Sequence, residues 1–344
     1  MIPRTSGECA VILRAPAQLL FLIFLIVATA SVSESQAVGN YQRPKSQEDW
    51  TTLSVKGLGL EAMPPMPGGK VERPDFTREY VRLQWRSGDP VDLWVILPHG
   101  VQKPHVILYL YGFPSDLSRF VNDDWCKGAT ENGFAAVGFV SALTGERYKD
   151  RPMKEWFVSE LQESLGTTTH DVQMVLNYLE QRGDLNTERV GIYGQGSGAS
   201  IAILAASVDS RIGVLDLLNP WGDWPVWLKQ SPLIPENERP AYLRPEFLEK
   251  VSMLDPVQIL PKFTTQVVRL QQISDDRITP ATAREQLAAA VPRGAQVLQS
   301  ENWVAYRKAW QEKKLWGWGK EQLEPVSAAP SAKSGGADND GGKP

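Results

Sequence analysis

Cysteine and histidine are both scarce in this chain of 344 residues, and each shortage excludes a class of site. There are two cysteines and three histidines. Cys9 lies in an N-terminal segment treated below, so Cys126 is the single thiol of the remaining chain, and an internal disulfide cannot form there. His99, His105 and His170 are scattered along the sequence and have no companions at metal-ligand spacing. We therefore expect neither a metal site nor a cofactor.

A strong charge of either sign is also lacking. The net charge is −4, with 22% charged and 42% hydrophobic residues. This composition is typical of a globular protein. A basic field that would attract phosphate backbones is missing, so nucleic acid is not an expected partner.

No apolar run reaches the roughly 20 residues that a membrane span needs. The longest run, Leu19 to Ala28, follows Arg4 and Arg14 and precedes small residues. This order predicts a signal peptide over 1–37, with cleavage after Ala30 or Ala37. The mature chain would then be secreted or periplasmic and would lack a membrane span; an uncleaved N-terminal anchor is the alternative.

The C-terminal segment lacks large apolar residues. Residues 327–344 are rich in Ser, Ala, Gly, Pro, Asp and Lys. Such a segment buries too little surface to offset its ordering entropy, which predicts a disordered low-complexity tail. We place one folded domain at 44–322.

Within this domain, strand patterns alternate with helix patterns. Strands are predicted at 80–85, 91–98, 105–110, 133–140, 189–193, 213–218, 266–273 and 296–298, and helices at 167–182, 200–208, 281–290 and 304–314. Two consecutive strands at the start of the domain are followed by repeated βα units. This order predicts an α/β fold, with a mostly parallel sheet and helices on both faces.

The most informative motif is the glycine-rich stretch from Val190 to Ser200. A strand ends, the chain turns among glycines, and a helix of small apolar residues begins. This stretch resembles the nucleophile elbow of the α/β-hydrolase superfamily, which includes serine esterases and peptidases. The resemblance covers about 80–314 and implies the α/β-hydrolase fold.

Two further landmarks follow the family's order. The strand and loop ending in Tyr111, Gly112 and Phe113 resemble the loop that supplies an oxyanion donor, with Phe113 carrying the N–H. Ser274 to Pro280 resembles the loop that carries the family's catalytic acid. Asp275 matches the acid position, and Asp276 is one place away.

The catalytic residues themselves are incomplete. Gly194 and Gly198 frame the elbow, so Gln195 precedes the nucleophile position, Gly196 occupies it and Ser197 follows it. Glycine has no side chain with which to attack a substrate. The family places its base histidine after the last strand, near 300–303 here, and that segment contains none. The resemblance therefore implies a triad that has lost its chemistry, with Ser197 and Asp275 vestigial.

A segment rich in tryptophan and proline, 221–261, lies where the family often inserts a lid. Trp221, Trp224 and Trp227 are three residues apart, a spacing that favours packing of one helical face over an aromatic ligand pocket. Trp303 and Trp310, seven residues apart, are typical of a terminal helix that docks on the core. His170 is expected to be a surface or capping residue.

Three functional hypotheses follow. In the first, the chain is an exported, catalytically impaired homologue that binds a small molecule, an acyl or peptide ligand, or a partner near the former active site. Gln195, Gly196 and Trp221 would then line the pocket together with the loop of Tyr111. In the second, it is an active hydrolase of ester or peptide bonds that uses Ser197 on a shifted elbow. In the third, it is an interaction protein whose Trp-rich segment is the interface.

Overall fold

The computed structural model describes residues 63–85, 90–112, 118–140, 161–312, 315 and 317–323. The predicted signal peptide, the predicted C-terminal tail and Phe113 lie outside these residues. In the part of the chain that is described, no helix combines the length and the apolar character needed to cross a membrane.

The nine described strands form one sheet. Its central strands have apolar residues at successive positions, because both of their faces are buried. They are β1 (Met66–Glu72), β2 (Phe76–Leu83), β3 (Val91–Pro98), β4 (His105–Leu110), β5 (Ala135–Phe139), β6 (Asn186–Gln195), β7 (Ile212–Leu218), β8 (Val267–Ile273) and β9 (Gln296–Ser300). Their spatial order is β1-β2-β3-β5-β4-β6-β7-β8-β9. The pairings from β1 through β3 to β5 are antiparallel, and those from β5 to β9 are parallel.

Helices cover both faces of this sheet. The longer ones are α1 (Asp123–Thr130), α2 (Leu161–Arg182), α3 (Ser197–Val208), α4 (Trp224–Gln230), α5 (Pro245–Ser252), α6 (Ala281–Ala290), α7 (Trp303–Gln311) and α8 (Trp318–Leu323). Single helical turns occur at Ser118–Val121, Arg239–Tyr242 and Pro256–Ile259. One hydrophobic core lies under α2, α3, α4 and α6, and a second lies under α1, α7 and α8. The predicted α/β architecture, with a mostly parallel sheet and helices on both faces, is confirmed.

Strand β1 and helix α1 are among the elements that the sequence pattern did not predict, and each has a physical reason. Strand β1 contains Pro67, Gly68 and Gly69, has a bulge between Pro67 and Gly69, and is almost wholly exposed. An exposed edge strand carries no apolar alternation that would reveal it. Helix α1 is only eight residues long and includes Gly128, so it is too short for helical periodicity to stand out.

The prediction for His170 was wrong. Helix α2 begins at Leu161 rather than at residue 167. His170 is therefore an interior residue of the helix; its side chain is fully buried and meets the Trp85 ring edge-on at 5.7 Å. The helix accommodates Gly166 in its interior, where a single glycine costs only about 1 kcal/mol.

A buried ion pair links the centre of the sheet to the C-terminal end of the described chain. Arg269 on β8 donates two hydrogen bonds to the Asp216 carboxylate on β7, at 2.9 and 2.6 Å. It also donates to the Leu315 carbonyl oxygen at 2.6 Å, and its guanidinium lies 4.7 Å from the Trp318 ring centre. The Gln271 amide donates to the same carboxylate at 2.6 Å. These contacts compensate the large desolvation cost of placing a cation inside the protein.

Candidate functional site at the carboxyl end of the sheet

The turn between β6 and α3 has the geometry that its glycines suggested. Gly196 has φ 57° and ψ −124°, a conformation that glycine adopts freely and other residues adopt only under strain. Its N–H donates to the Leu218 carbonyl oxygen at 2.9 Å, which ties the turn to the end of β7. Gln195 and Gly196 are partly exposed, whereas Ser197 is fully buried. The residue displayed at the turn is thus the one without a side chain.

Close backbone packing explains why the residues around this turn are small. A Cβ on Gly194 would lie 2.5 Å from the Ala199 Cα atom, and a Cβ on Gly198 would overlap the Leu110 carbonyl group. A Cβ on Gly112 would lie 2.5 Å from the Gln195 carbonyl oxygen and 2.7 Å from both the amide nitrogen and Oγ of Ser197. The structure therefore brings the loop of Gly112 directly against the turn.

Trp221 lies over the position where a nucleophile would stand. A Cβ on Gly196 would meet the Trp221 Nε1 atom at 3.5 Å and Cε2 at 4.0 Å, which is ordinary contact. Ser200 holds the backbone of Trp221, because its hydroxyl donates to the Trp221 carbonyl oxygen at 2.7 Å and accepts from the Trp221 N–H at 2.8 Å. The sequence did not predict these two hydrogen bonds, because nothing in the local pattern around Ser200 indicates a partner 21 residues away.

The three tryptophans of segment 221–261 are buried, which confirms that they pack inside the protein. Trp221 and Trp227 stack at 4.9 Å between ring centres, and Trp224 meets Trp227 edge-on at 5.7 Å. Trp224 also donates from Nε1 to the Leu254 carbonyl oxygen at 3.1 Å. These side chains offer no exposed aromatic interface.

Tyr111 belongs to a buried aromatic cluster. Its ring lies within about 6.5 Å of Tyr109, Phe120 and Tyr193, and the Arg119 guanidinium lies 4.0 Å from its ring centre. Burial raises the pKa of Tyr111 to about 12, although the nearby Arg119 charge opposes this shift. Tyr111 is therefore a neutral phenol at physiological pH and serves the loop as a packed aromatic anchor.

Hydrogen bonds from Asp276 and Arg284 stabilise the loop after β8. Asp275 is exposed and has no side-chain hydrogen bond or ion pair with any residue that the structure describes. The Asp276 carboxylate accepts from the N–H groups of Ile278 and Thr279 at 3.4 and 3.1 Å, and burial raises its pKa. Arg284 donates to the Asp276 and Ser274 carbonyl oxygens. Asp276 stabilises the loop, while Asp275 faces solvent.

Hydrogen bonds also fix the segment after β9. Asn302 caps α7, since its side chain accepts from the Ala305 N–H at 2.9 Å. The Ser300 carbonyl oxygen accepts from the Ser274 N–H at 2.8 Å and joins this segment to the loop of Asp275. His99 and His105 lie at the opposite, amino edge of the parallel strands, beyond the end of β3 and at the start of β4. Neither histidine can serve as a base at the Gly196 turn.

One consequence of the turn is measurable as stability. We expect Gly196→Ala to lower the free energy of unfolding by about 1 to 3 kcal/mol, because alanine must adopt a strained backbone there. Urea denaturation followed by circular dichroism measures the change. Gly319→Ala is the matched control: its surroundings are open and its φ is not positive, so we expect no loss. Wild-type stability in Gly196→Ala would show that the positive φ is not required.

Comparison with known proteins reveals similarity in structure but not in sequence. No protein-family model matches the chain, and no curated protein matches it. Among solved structures, it is similar to an acetyl xylan esterase from Paenibacillus sp. R4, with a TM-score of 0.58 and 14% identity over 78% of this chain and 94% of that chain.

Two further solved structures are similar. One is an acylaminoacyl peptidase from Pyrococcus horikoshii, with a TM-score of 0.58 and 14% identity over 75% of this chain and 43% of that chain. The other is acetyl xylan esterase 1 from Thermoanaerobacterium sp. JW/SL YS485, with a TM-score of 0.51 and 12% identity over 73% and 87%. The chain therefore has the α/β-hydrolase fold.

Proposed function

We propose that this is an exported α/β-hydrolase-fold protein that lacks serine-hydrolase activity and binds a small ligand near the former active site. The observation that carries the proposal is the backbone of Gly196: the strained turn that displays a nucleophile is present, but its residue has no side chain. A fold of this kind hosts many functions, so activity has to be argued from the site.

The surroundings of the turn support the same proposal. Trp221 covers the nucleophile position, Asn302 is engaged as a helix cap where a base histidine would be needed, and Asp275 faces solvent. The alternative nucleophile Ser197 is fully buried at the start of α3, against Gly112. A buried hydroxyl is shielded from substrate and is therefore a poor nucleophile.

A cavity of about 510 Å³ supports ligand binding beside this site. It lies next to the segment that carries Trp221, and the polar residues on its wall are Asp223, Glu249, Ser252, Asp255, Gln258 and Gln286. Burial raises the pKa of Asp223. The volume suits a small molecule, and the carboxylate and amide oxygens suit a ligand that donates several hydrogen bonds.

The absence of chemistry can be tested with a fluorophosphonate and intact-mass measurement. We expect no adduct on the purified mature protein at high reagent excess, because Gly196 has no hydroxyl and that of Ser197 is buried. Gly196→Ser should also label poorly, since an unassisted hydroxyl is weakly nucleophilic at neutral pH. A stoichiometric adduct on the wild type that disappears in Ser197→Ala would establish the active-hydrolase alternative instead.

Ligand binding can be tested by filling the cavity. In saturation-transfer NMR with a mixture of small amines and polyols, we expect the wild type to give signals and Ser252→Trp to lose them, because an indole would occupy the cavity. Ser252 is exposed on the cavity wall. Ser210→Trp, at an exposed position elsewhere, is the control. Equal signals from both variants would place the binding outside this cavity and refute the assignment.

Export can be tested at the N-terminus. The charged start, the apolar run and the small residues after it support cleavage after Ala30 or Ala37. N-terminal sequencing of protein collected outside the cytoplasm should therefore begin at Ser31 or Val38. Recovery of the intact chain from Met1 in the membrane fraction would favour the uncleaved anchor.

A further inference from the structure

A second cavity, of about 650 Å³, lies at the opposite edge of the sheet from the Gly196 turn. Pro98 at its border ends β3, and Ile96 pairs with Ala136 at the start of β5, so this is the amino edge of the parallel strands. The cavity opens between α1, the end of α7 and the connection into β5. Its volume is within the range of small-molecule sites, about 300 to 1,000 Å³.

Two indole rings line this cavity and are held in place from beneath. Trp125 meets the Tyr109 ring edge-on at 5.0 Å and the Phe120 ring at 5.3 Å. Trp310 meets the Tyr193 ring edge-on at 5.3 Å. Both indoles are partly exposed, whereas the rings beneath them are buried. Because the packing already orders the indoles, a ligand between them would cost little side-chain entropy.

The charges around the indoles are predominantly negative. Three carboxylates line the cavity, those of Asp75, Asp124 and Glu131, against the single ammonium of Lys127. Lys127 pairs with Asp75 at 2.8 Å. The buried ammonium of Lys320 behind the wall donates to the Gly128 and Glu131 carbonyl oxygens and reduces the excess to one negative charge. The charges of the cavity lining therefore favour a cation and disfavour an anion.

We propose that this cavity binds an organic cation with an apolar body, such as a quaternary ammonium, between Trp125 and Trp310. The aromatic faces attract the cation through their quadrupoles and also accept its alkyl groups. Asp124, in the exposed first turn of α1, supplies long-range attraction at the rim. This site is separate from the one proposed beside Trp221.

The test compares choline with 3,3-dimethyl-1-butanol, its neutral isostere, by isothermal titration calorimetry on the purified mature protein. Both titrations are run at pH 8 and at the same ionic strength. We expect saturable binding of choline and at least about tenfold weaker binding of the neutral alcohol. Equal affinity for the two compounds, or no binding of either at millimolar concentration, would overturn the proposal.

Variants locate the site and separate it from the first cavity. Asp124→Asn keeps the side-chain shape and should weaken choline binding about threefold, while Trp310→Leu should abolish it. Glu236→Gln, whose side chain is 92% exposed elsewhere, should bind choline as the wild type does. Ser252→Trp should also bind choline normally, whether or not the first cavity has a ligand.

Thermal unfolding shows whether Trp310→Leu is folded, and Asp124→Asn keeps the test decisive if it is not. Wild-type affinity in Asp124→Asn, or an equal loss in Glu236→Gln, would contradict the assignment of the cation to this cavity.

Discussion

The backbone conformation at Gly196 is the constraint on which the candidate site depends. With φ 57° and ψ −124°, it lets β6 end and α3 begin without an intervening loop. The abrupt turn presses Gly194 and Gly198 against neighbouring backbone and brings Gly112 to the amide of Ser197. In active relatives the same conformation displays a nucleophile. Here it is a structural requirement of the crossover from strand to helix, and it is met at a residue that has no side chain.

Steric demands of this kind leave a mark in the sequence, which is why the fold and the turn could be predicted. Glycine adopts a positive φ at little cost, and it lacks the Cβ that a backbone approach below 3 Å excludes, so the spacing of Gly194, Gly196 and Gly198 predicted the turn. Apolar runs predicted the central strands in the same way, because burial on both faces excludes polar residues. Neither requirement applies to the exposed strand β1 or to the short helix α1, so the sequence did not predict them.

Contacts between distant side chains could not be predicted, since they depend on how segments pack and not on local pattern. The ring of Trp221 lies over Gly196, and Ser200 forms hydrogen bonds with the backbone of Trp221. Each contact joins residues more than 20 positions apart. The cavity between Trp125 and Trp310 joins positions 185 apart. In the sequence, Trp310 showed only the spacing of a docked helix. That Trp310 also lines the cavity became visible only with the fold.

The hydrogen bond from Arg269 to the Leu315 carbonyl oxygen has a consequence for the order of assembly. Arg269 is 1% exposed, and part of its shelter comes from the segment 315–323 with Trp318. While the chain is being synthesised, that segment emerges after the strands that carry Asp216 and Arg269. Strands β7 and β8 can pair earlier, but the guanidinium of Arg269 stays partly hydrated until residues 315–323 pack against it. Completion of the core therefore depends on residues that are synthesised more than 40 positions after Arg269, and a chain that stops before Leu315 would lack part of the shelter of this ion pair.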